Sequence, residues 1–208
     1  MTAVPLKVGL AVIGVGASSA SFRMQVVAQG LGQHGSIGRV VDAVDVRRFR
    51  PDDASMLTKM LHRAYAELGA AGLNFTAVDQ DEETTLRRAS GGESWVMTSG
   101  NELGAAMTMT FPPEAALQEI SQEAAFPNRA WLNQLAVDPT FRGQGLASRL
   151  WIQGRRWARS TGASHVGLDT AVPATHLISL YSGWGFQEHE TIQWPGKTYK
   201  STIMLLTL

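Results

Sequence analysis

The chain reads as a mixed α/β domain: a central twisted sheet of parallel and antiparallel strands, flanked by helices and preceded by a short appendage. Three observations predict this. Strand-like and helical segments alternate from about residue 40 to the C-terminus, which implies a sheet covered by helices on both faces. An apolar run at 131–137 passes through a glycine-rich turn into a helical pattern that continues to about residue 161. Finally, 208 residues with 44% hydrophobic side chains suffice for one domain with a full core.

Residues 1–38 differ in texture from the rest. An apolar stretch from Val8 to Gly16 follows Lys7, and Ala17-Ser-Ser-Ala20 supplies small residues, the outline of a signal peptide. The same letters fit a strand followed by Gly14-x-Gly16, a fragment of a dinucleotide loop. The third glycine and the acidic ribose partner about 20 residues on are missing. The preferred reading is an appendage over 1–38, poorly ordered or loosely packed and consistent with an upstream start site, before a domain over 39–208.

Within that domain, Val44, Val46 and Phe49 predict a first strand, and Arg50-Pro-Asp-Asp-Ala opens a helix with proline and acids in its first turn. Met56, Met60, Leu61 and Ala64 carry it at helical spacing to about Leu68. A second helix is expected over 80–89, acids first and Arg87-Arg88 last. Gly91-Gly92 turns the chain into a strand at 94–98, and the turn Ser99-Gly100-Asn101 pairs it with a strand at 103–111. After Pro112-Pro113, residues 114–126 read as one short acidic amphipathic stretch with Ala116, Leu117, Ile120 and Ala124 on one side. It serves either as a surface bridge between strands or as a lid beside a substrate.

The strand at 131–137 is expected to place Trp131, Asn133, Leu135 and Val137 on one face. In the helix after the glycine turn, Leu146, Leu150 and Trp157 form one stripe and Ala147, Trp151, Gly154 and Ala158 the adjacent one. A strand at 164–170, a helix from Pro173 through Leu177, Leu180 and Tyr181, and strands at 186–192 and 199–206 complete the order. The last two are joined by the turn Trp194-Pro-Gly-Lys197.

Asp138-Pro139 marks the turn between strand and helix, because the residue before a proline is pushed out of the helical region. Gly143 and Gly145 bare the backbone where the helix begins. N–H groups without intrahelical partners, the positive end of the helix dipole and the adjacent Arg142 together make a receptor for phosphate. Arg142-Gly143-Gln144-Gly145-Leu146-Ala147 resembles the acyl-CoA pyrophosphate loop, (Q/R)-x-x-G-x-(G/A), of the GNAT N-acetyltransferases, and the family's usual Val-Asp-Pro precedes it at 137–139. Downstream, Leu168-Asp-Thr170, the helix reaching Leu180-Tyr181, and Gly185-Phe186 resemble the family's strand and "LYxxxGF" segment at the expected distance. The resemblance implies the GNAT acyl-CoA N-acyltransferase fold over residues 39–208.

It also implies an activity: transfer of an acetyl group from acetyl-CoA, as co-substrate, to a primary amine of a small molecule or peptide. The family holds the pantetheine arm along the strand before the loop, here Leu135, Ala136 and Val137. Its backbone can pair with an amide chain as another strand would, and an N–H there can polarise the thioester carbonyl. Arg142, Gly143, Gln144, Gly145, Leu146 and Ala147 would hold the pyrophosphate. Tyr181 stands where the family often has a general acid. A phenol near pKa 10 stays protonated at neutral pH and can donate toward the leaving sulfur; its alternative role is to pack the helix on the sheet. Ala174 departs from the family, which often has a cofactor-contacting asparagine seven residues before that tyrosine, with Thr175 a partial substitute.

An alkylammonium costs about 4 kcal/mol to deprotonate at pH 7, so a base is expected, yet none is evident on the strand before the loop, which offers Asn133 and Gln134. Asp169 and His165 share a face of the following strand; Glu93, Glu102 and His176 qualify only if folding brings them near. A non-catalytic acyl-CoA sensor of the same fold is the alternative, and an exported or nucleotide-binding protein organised by the N-terminal segment is a third reading.

Composition narrows the rest. Lys and Arg balance Asp and Glu at 18 each, and no basic patch interleaved with aromatics is present, so nucleic acid is not an expected partner. No apolar run reaches membrane-spanning length. The five histidines lack metal-ligand spacing, and with no cysteine there are no disulfides, thiolate nucleophiles or Cys-ligated zinc. That fits a reducing cytoplasm. The expected partners are acyl-CoA and an amine acceptor, and a homodimer is left open.

Overall fold

The computed structural model describes residues 45–208; the expected appendage over 1–38, and Val44 of the first strand, lie outside the described residues. Strand β1 (Asp45–Arg48) leads through a 3-10 turn at Pro51–Asp53 into helix α1 (Ala54–Ala70). Asp53 fixes this entry: its carboxylate accepts from the Arg50 N–H at 2.8 Å and from the Arg47 guanidinium at 2.7 Å on each oxygen. Helix α2 (Glu82–Ser90) is capped by Asp81, which accepts from the Thr84 N–H at 2.8 Å. Its acids stand in the first turn and Arg87 and Arg88 in the last, matching the helix dipole.

The hairpin of β2 (Glu93–Ser99) and β3 (Glu102–Thr110) follows. The 114–126 segment is two short helices rather than one, α3 (Ala115–Gln118) and α4 (Gln122–Ala125). Ser121 breaks it by adopting extended backbone and capping α4 through the Ala124 N–H at 3.0 Å. Leu117 and Ala124 are buried as expected, whereas Ala116 is exposed. Then come β4 (Arg129–Val137), α5 (Leu146–Ser160), β5 (His165–Ala171), α6 (Thr175–Gly183), β6 (Gln187–Ile192) and β7 (Ser201–Thr207).

Among the described residues, seven strands form one sheet in the order β1-β2-β3-β4-β5-β7-β6, parallel only between β4 and β5. One face buries Met97, Met107, Met109 and Leu132 under Leu146, Leu150, Trp151 and Ala158 of α5. On the other face Val96, Ala106 and Ala136 meet Leu57, Met60 and Leu61 of α1. Leu117 and Ala124 of α3 and α4 cover Trp131, Ile203 and Leu205. Among the described residues no helix is long and apolar enough to cross a membrane.

Two departures from regular pairing shape the centre of the sheet. Thr108 pairs with Gln134 but Met109 pairs with Leu132, so Asn133 is an extra residue in β4. Such a bulge reverses the alternation of faces. Leu132 before it and Leu135 and Val137 after it share the α5 face, while Trp131 and Ala136 lie on the other. The expected common face for Trp131, Leu135 and Val137 is therefore corrected. Beyond the bulge, β4 also parts from β5: their pairing runs from Arg129↔His165 to Leu132↔Leu168 and stops. The β4 backbone at 133–137 keeps β3 on one side and opens to a gap on the other.

Candidate active site

The glycine loop is held at both ends. Asp138, only 2% exposed, accepts from the Thr140 N–H at 2.9 Å, the Thr140 hydroxyl at 2.7 Å and the Arg63 Nε at 2.7 Å. Burial alone would raise its pKa, but the Thr140 and Arg63 hydrogen bonds prevail and hold it below the ordinary carboxylate value. Its own N–H donates to the Gly104 carbonyl at 2.8 Å. Phe141 and Leu146 are buried in the α5-side core on either side of the loop.

Between those anchors Arg142, Gly143, Gln144 and Gly145 are exposed, and Ala147 is half-buried. Gly143 has φ +77° and Gly145 φ +74°, a left-handed backbone that side chains other than glycine's resist. A Cβ at either position would meet nothing within 4 Å, so the glycines serve conformation and open approach rather than packing. Gly145 is the N-cap of α5, whose first-turn N–H groups lack intrahelical acceptors and sit at the positive end of its dipole. This open backbone suits a pyrophosphate. The Arg142 guanidinium turns elsewhere, to Glu67 at 2.9 Å and the Ala64 carbonyl at 3.1 Å.

The gap between β4 and β5 opens into a cleft of about 390 Å³. Leu132, Asn133, Gln134 and Leu135 of the bulged strand line it, with Tyr65 of α1, Arg88 of α2, Asp169 of β5, Tyr181 of α6, and Trp194 and Lys197 from the β6–β7 loop. Of the three β4 residues expected to face the cofactor, Leu135 lines the cleft and its carbonyl accepts from the Tyr65 hydroxyl at 3.2 Å. Val137 packs toward α5 and Ala136 toward α1. Burial pushes the Tyr65 phenol up to about 12.

Asp169 is the carboxylate at the centre of this arrangement. Its Oδ2 accepts from the Trp194 indole N–H at 2.9 Å and its Oδ1 from the Trp131 indole N–H at 3.3 Å. Desolvation nonetheless dominates and raises its pKa above the ordinary value, against the pull of the two indoles and of Arg88. Trp131 is fixed over Gly167, where an added Cβ would lie 2.7 Å from its Cη2 and closer to Cζ3 and Cε3. Tyr181, 8% exposed, packs edge-on to Trp184 and Phe186. Its phenol is driven well upward by burial, then by Tyr65 and Asp169, and so stays protonated.

The other bases considered from sequence are elsewhere. Glu93 is ion-paired with Arg48, His176 is exposed on the first turn of α6, Glu102 starts β3, and His165 pairs with Ser164 at the far end of β5. Ala174 is buried against Leu73, Ala171 and Tyr199. Sequence reasoning missed Arg88, read only as a last-turn charge, and Trp194 and Lys197, read only as a turn. A tryptophan inside a hairpin turn was the available signal.

A sequence profile of the Acetyltransferase (GNAT) family matches residues 57–186, from α1 to the end of the Gly-Phe segment. N-acetyltransferase 8F1 of Rattus norvegicus is 32% identical over 100 residues, which are 47% of this chain and 40% of that protein's length. Among solved structures, the ribosomal-protein-S18-alanine N-acetyltransferase of Escherichia coli aligns with a TM-score of 0.58 at 18% identity, covering 79% of this chain and 93% of that one. The PaiA N-acetyltransferase of Thermoplasma acidophilum, in complex with coenzyme A, aligns with a TM-score of 0.60 at 13% identity, covering 80% and 99%. These likenesses are of fold; the sequence match spans more than half of the chain, which belongs to the acetyltransferase (GNAT) family.

Proposed function

We propose that this protein transfers the acetyl group of acetyl-CoA directly to a primary amine in the cleft beside β4. The observation that carries this reading is the meeting, in one cleft, of an open strand edge, a protonated phenol and a carboxylate of raised pKa. The residues fit acyl-CoA. The 142–145 backbone is open to a pyrophosphate, and the β4 edge at 133–137, which β5 does not pair, can hydrogen-bond an amide-containing arm as a neighbouring strand would, with the Leu135 carbonyl already taking the Tyr65 hydroxyl.

The chemistry divides among few groups. The acceptor enters as an ammonium past one aromatic wall, where the tilted rings of Tyr65, Phe75 and Tyr199 lie with centroids 5.6 and 5.0 Å apart. Asp169 takes its first proton, for which a carboxyl of raised pKa is better matched than an ordinary one. The amine nitrogen then attacks the thioester carbonyl carbon, forming the C–N bond. As the C–S bond breaks, Tyr181 donates its proton to the sulfur and recovers one from the new amide nitrogen. Asp169 finally returns its proton to solvent, so amine and thioester become amide, thiol and one proton.

Free-thiol release, with mass spectrometry of the products, tests this against a panel of amines, amino acids, polyamines and peptides. N-acetylated product in step with thiol is expected. Acetyl-CoA bound tightly without turnover of any amine would instead establish the sensor reading, and absence of acetyl-CoA binding would overturn both.

A further inference from the structure

The cleft holds more positive charge than the reaction uses. Arg88 lines it from the last turn of α2, half-buried, and among the described residues it makes no hydrogen bond or ion pair. The other basic residue among the described residues that line the cleft is engaged: Lys197 Nζ donates to the Asn74 carbonyl at 2.6 Å and the Thr76 hydroxyl at 3.1 Å, leaving one of its three donors. Burial and then the charge of Arg88 depress the Lys197 pKa, so the two cations lie close enough to repel. A half-buried guanidinium without an acceptor is costly. Its planar fork of donors matches the two oxygens of a carboxylate.

The cleft's own carboxylates do not meet that demand. Asp169 is held by the two indoles, and Glu114 stands exposed at the rim without an ion pair to Arg88. Two cations, Arg88 and Lys197, thus face two anions, Asp169 and Glu114, around one cavity. The occupant that complements both signs without adding net charge is a zwitterion, its ammonium toward Asp169 and its anion toward Arg88. A phosphorylated amine would bring excess negative charge to Asp169 and Glu114. The aromatic wall of Tyr65, Phe75 and Tyr199 offers contact to an apolar side chain.

We propose that Arg88 anchors the carboxylate of the acceptor, and that the acceptor is a free amino acid with an apolar side chain rather than a simple amine. This rests on the transferase reading of the same cleft, and the experiment separates the two. Alanine, leucine and phenylalanine are each compared with their decarboxylated amines for kcat/KM, in the wild type and in Arg88→Gln and Arg88→Lys. Charge-assisted pairing predicts a preference of about 10- to 100-fold for the amino acids. Arg88→Gln should shrink that ratio toward unity through KM for the amino acid, and Arg88→Lys should restore part of it. Because Arg88 has no hydrogen-bond or ion-pair partner among the described residues, the variants should melt no lower than the wild type and retain its acetyl-CoA affinity.

Calorimetry with N-acetylphenylalanine and its amide reads the same anchor without turnover. The acid should bind the wild type at least 10-fold tighter than the amide, and Arg88→Gln should erase the difference. If no amine is acetylated but this difference holds, the anchor stands and the transferase reading falls. Equal binding of acid and amide, or decarboxylated amines used as well as the amino acids by the wild type, would overturn the proposal.

Discussion

Replacing Tyr181 with phenylalanine separates chemistry from packing at a single atom. The ring is held edge-on by Trp184 at 5.8 Å and Phe186 at 6.1 Å between centroids, contacts that phenylalanine keeps. The hydroxyl has no hydrogen-bond partner among the described residues, so its removal leaves no protein group unsatisfied. The expected stability change is therefore within about 0.5 kcal/mol, a melting shift of roughly 1–2 °C for a chain of this size. Loss of a positioned acid, by contrast, removes about 10²–10⁴ from turnover, on the order of 3 to 5 kcal/mol of barrier. Turnover at saturating acetyl-CoA is measured by thiol release, and acetyl-CoA affinity by calorimetry. Since the wild-type phenol stays protonated through the neutral range, the loss should be constant from mildly acidic to mildly alkaline pH. An unchanged kcat with a wild-type melting curve would remove Tyr181 from the mechanism.

Three further substitutions probe other parts of the site. Gly145→Val places a branched side chain at φ +74°, costing at least ~1–2 kcal/mol locally, and projects it into the open face of the loop; acetyl-CoA binding should vanish while circular dichroism stays native, and wild-type affinity would exclude this loop as the phosphate site. Asp169 must be ionised to take a proton, so kcat/KM should fall as pH drops through a pKa above the ordinary carboxylate value of about 4. Arg88, Lys197, Glu114, Tyr65, Tyr181 and Tyr199 all face or surround that carboxyl; Asp169→Asn should abolish the acidic limb along with most activity, and a limb that survives the substitution assigns it to another group. Gly167→Ala drives a methyl into the Trp131 ring, an overpacking cost of about 1–3 kcal/mol that should lower the melting temperature by roughly 2–12 °C. An unchanged melting temperature would mean the ring is free to move.

The order of helices and strands was legible because each rests on local signals: the Pro-Asp-Asp start of α1, the acidic start of α2, Gly100 in the β2–β3 turn, and the Leu146–Leu150 stripe of α5. The glycine loop was legible for the same reason, since Gly143 and Gly145 announce their backbone conformation by being glycine. The bulge at Asn133 was not. A polar pair inside an apolar strand hints at irregularity, but which residue is extra depends on the register with β3, and that one residue moves Trp131 to the opposite face from Leu135. Nor could sequence choose among the candidate bases. Asp169 is singled out only when Trp131, from the neighbouring strand β4, and Trp194, from a hairpin turn, both direct an indole N–H to it. Arg88 and Lys197 are surface charges in sequence and become neighbours only because α2 and the β6–β7 loop converge above the gap in the sheet.

A crystal structure of the protein soaked with acetyl-CoA measures the central relation most directly. The pyrophosphate is expected on the backbone N–H groups of residues 143–147, the pantetheine paired with the β4 edge at 133–137, and the thioester within reach of Tyr181 and Asp169. Density for the cofactor elsewhere, with the β4–β5 gap left empty, would contradict it.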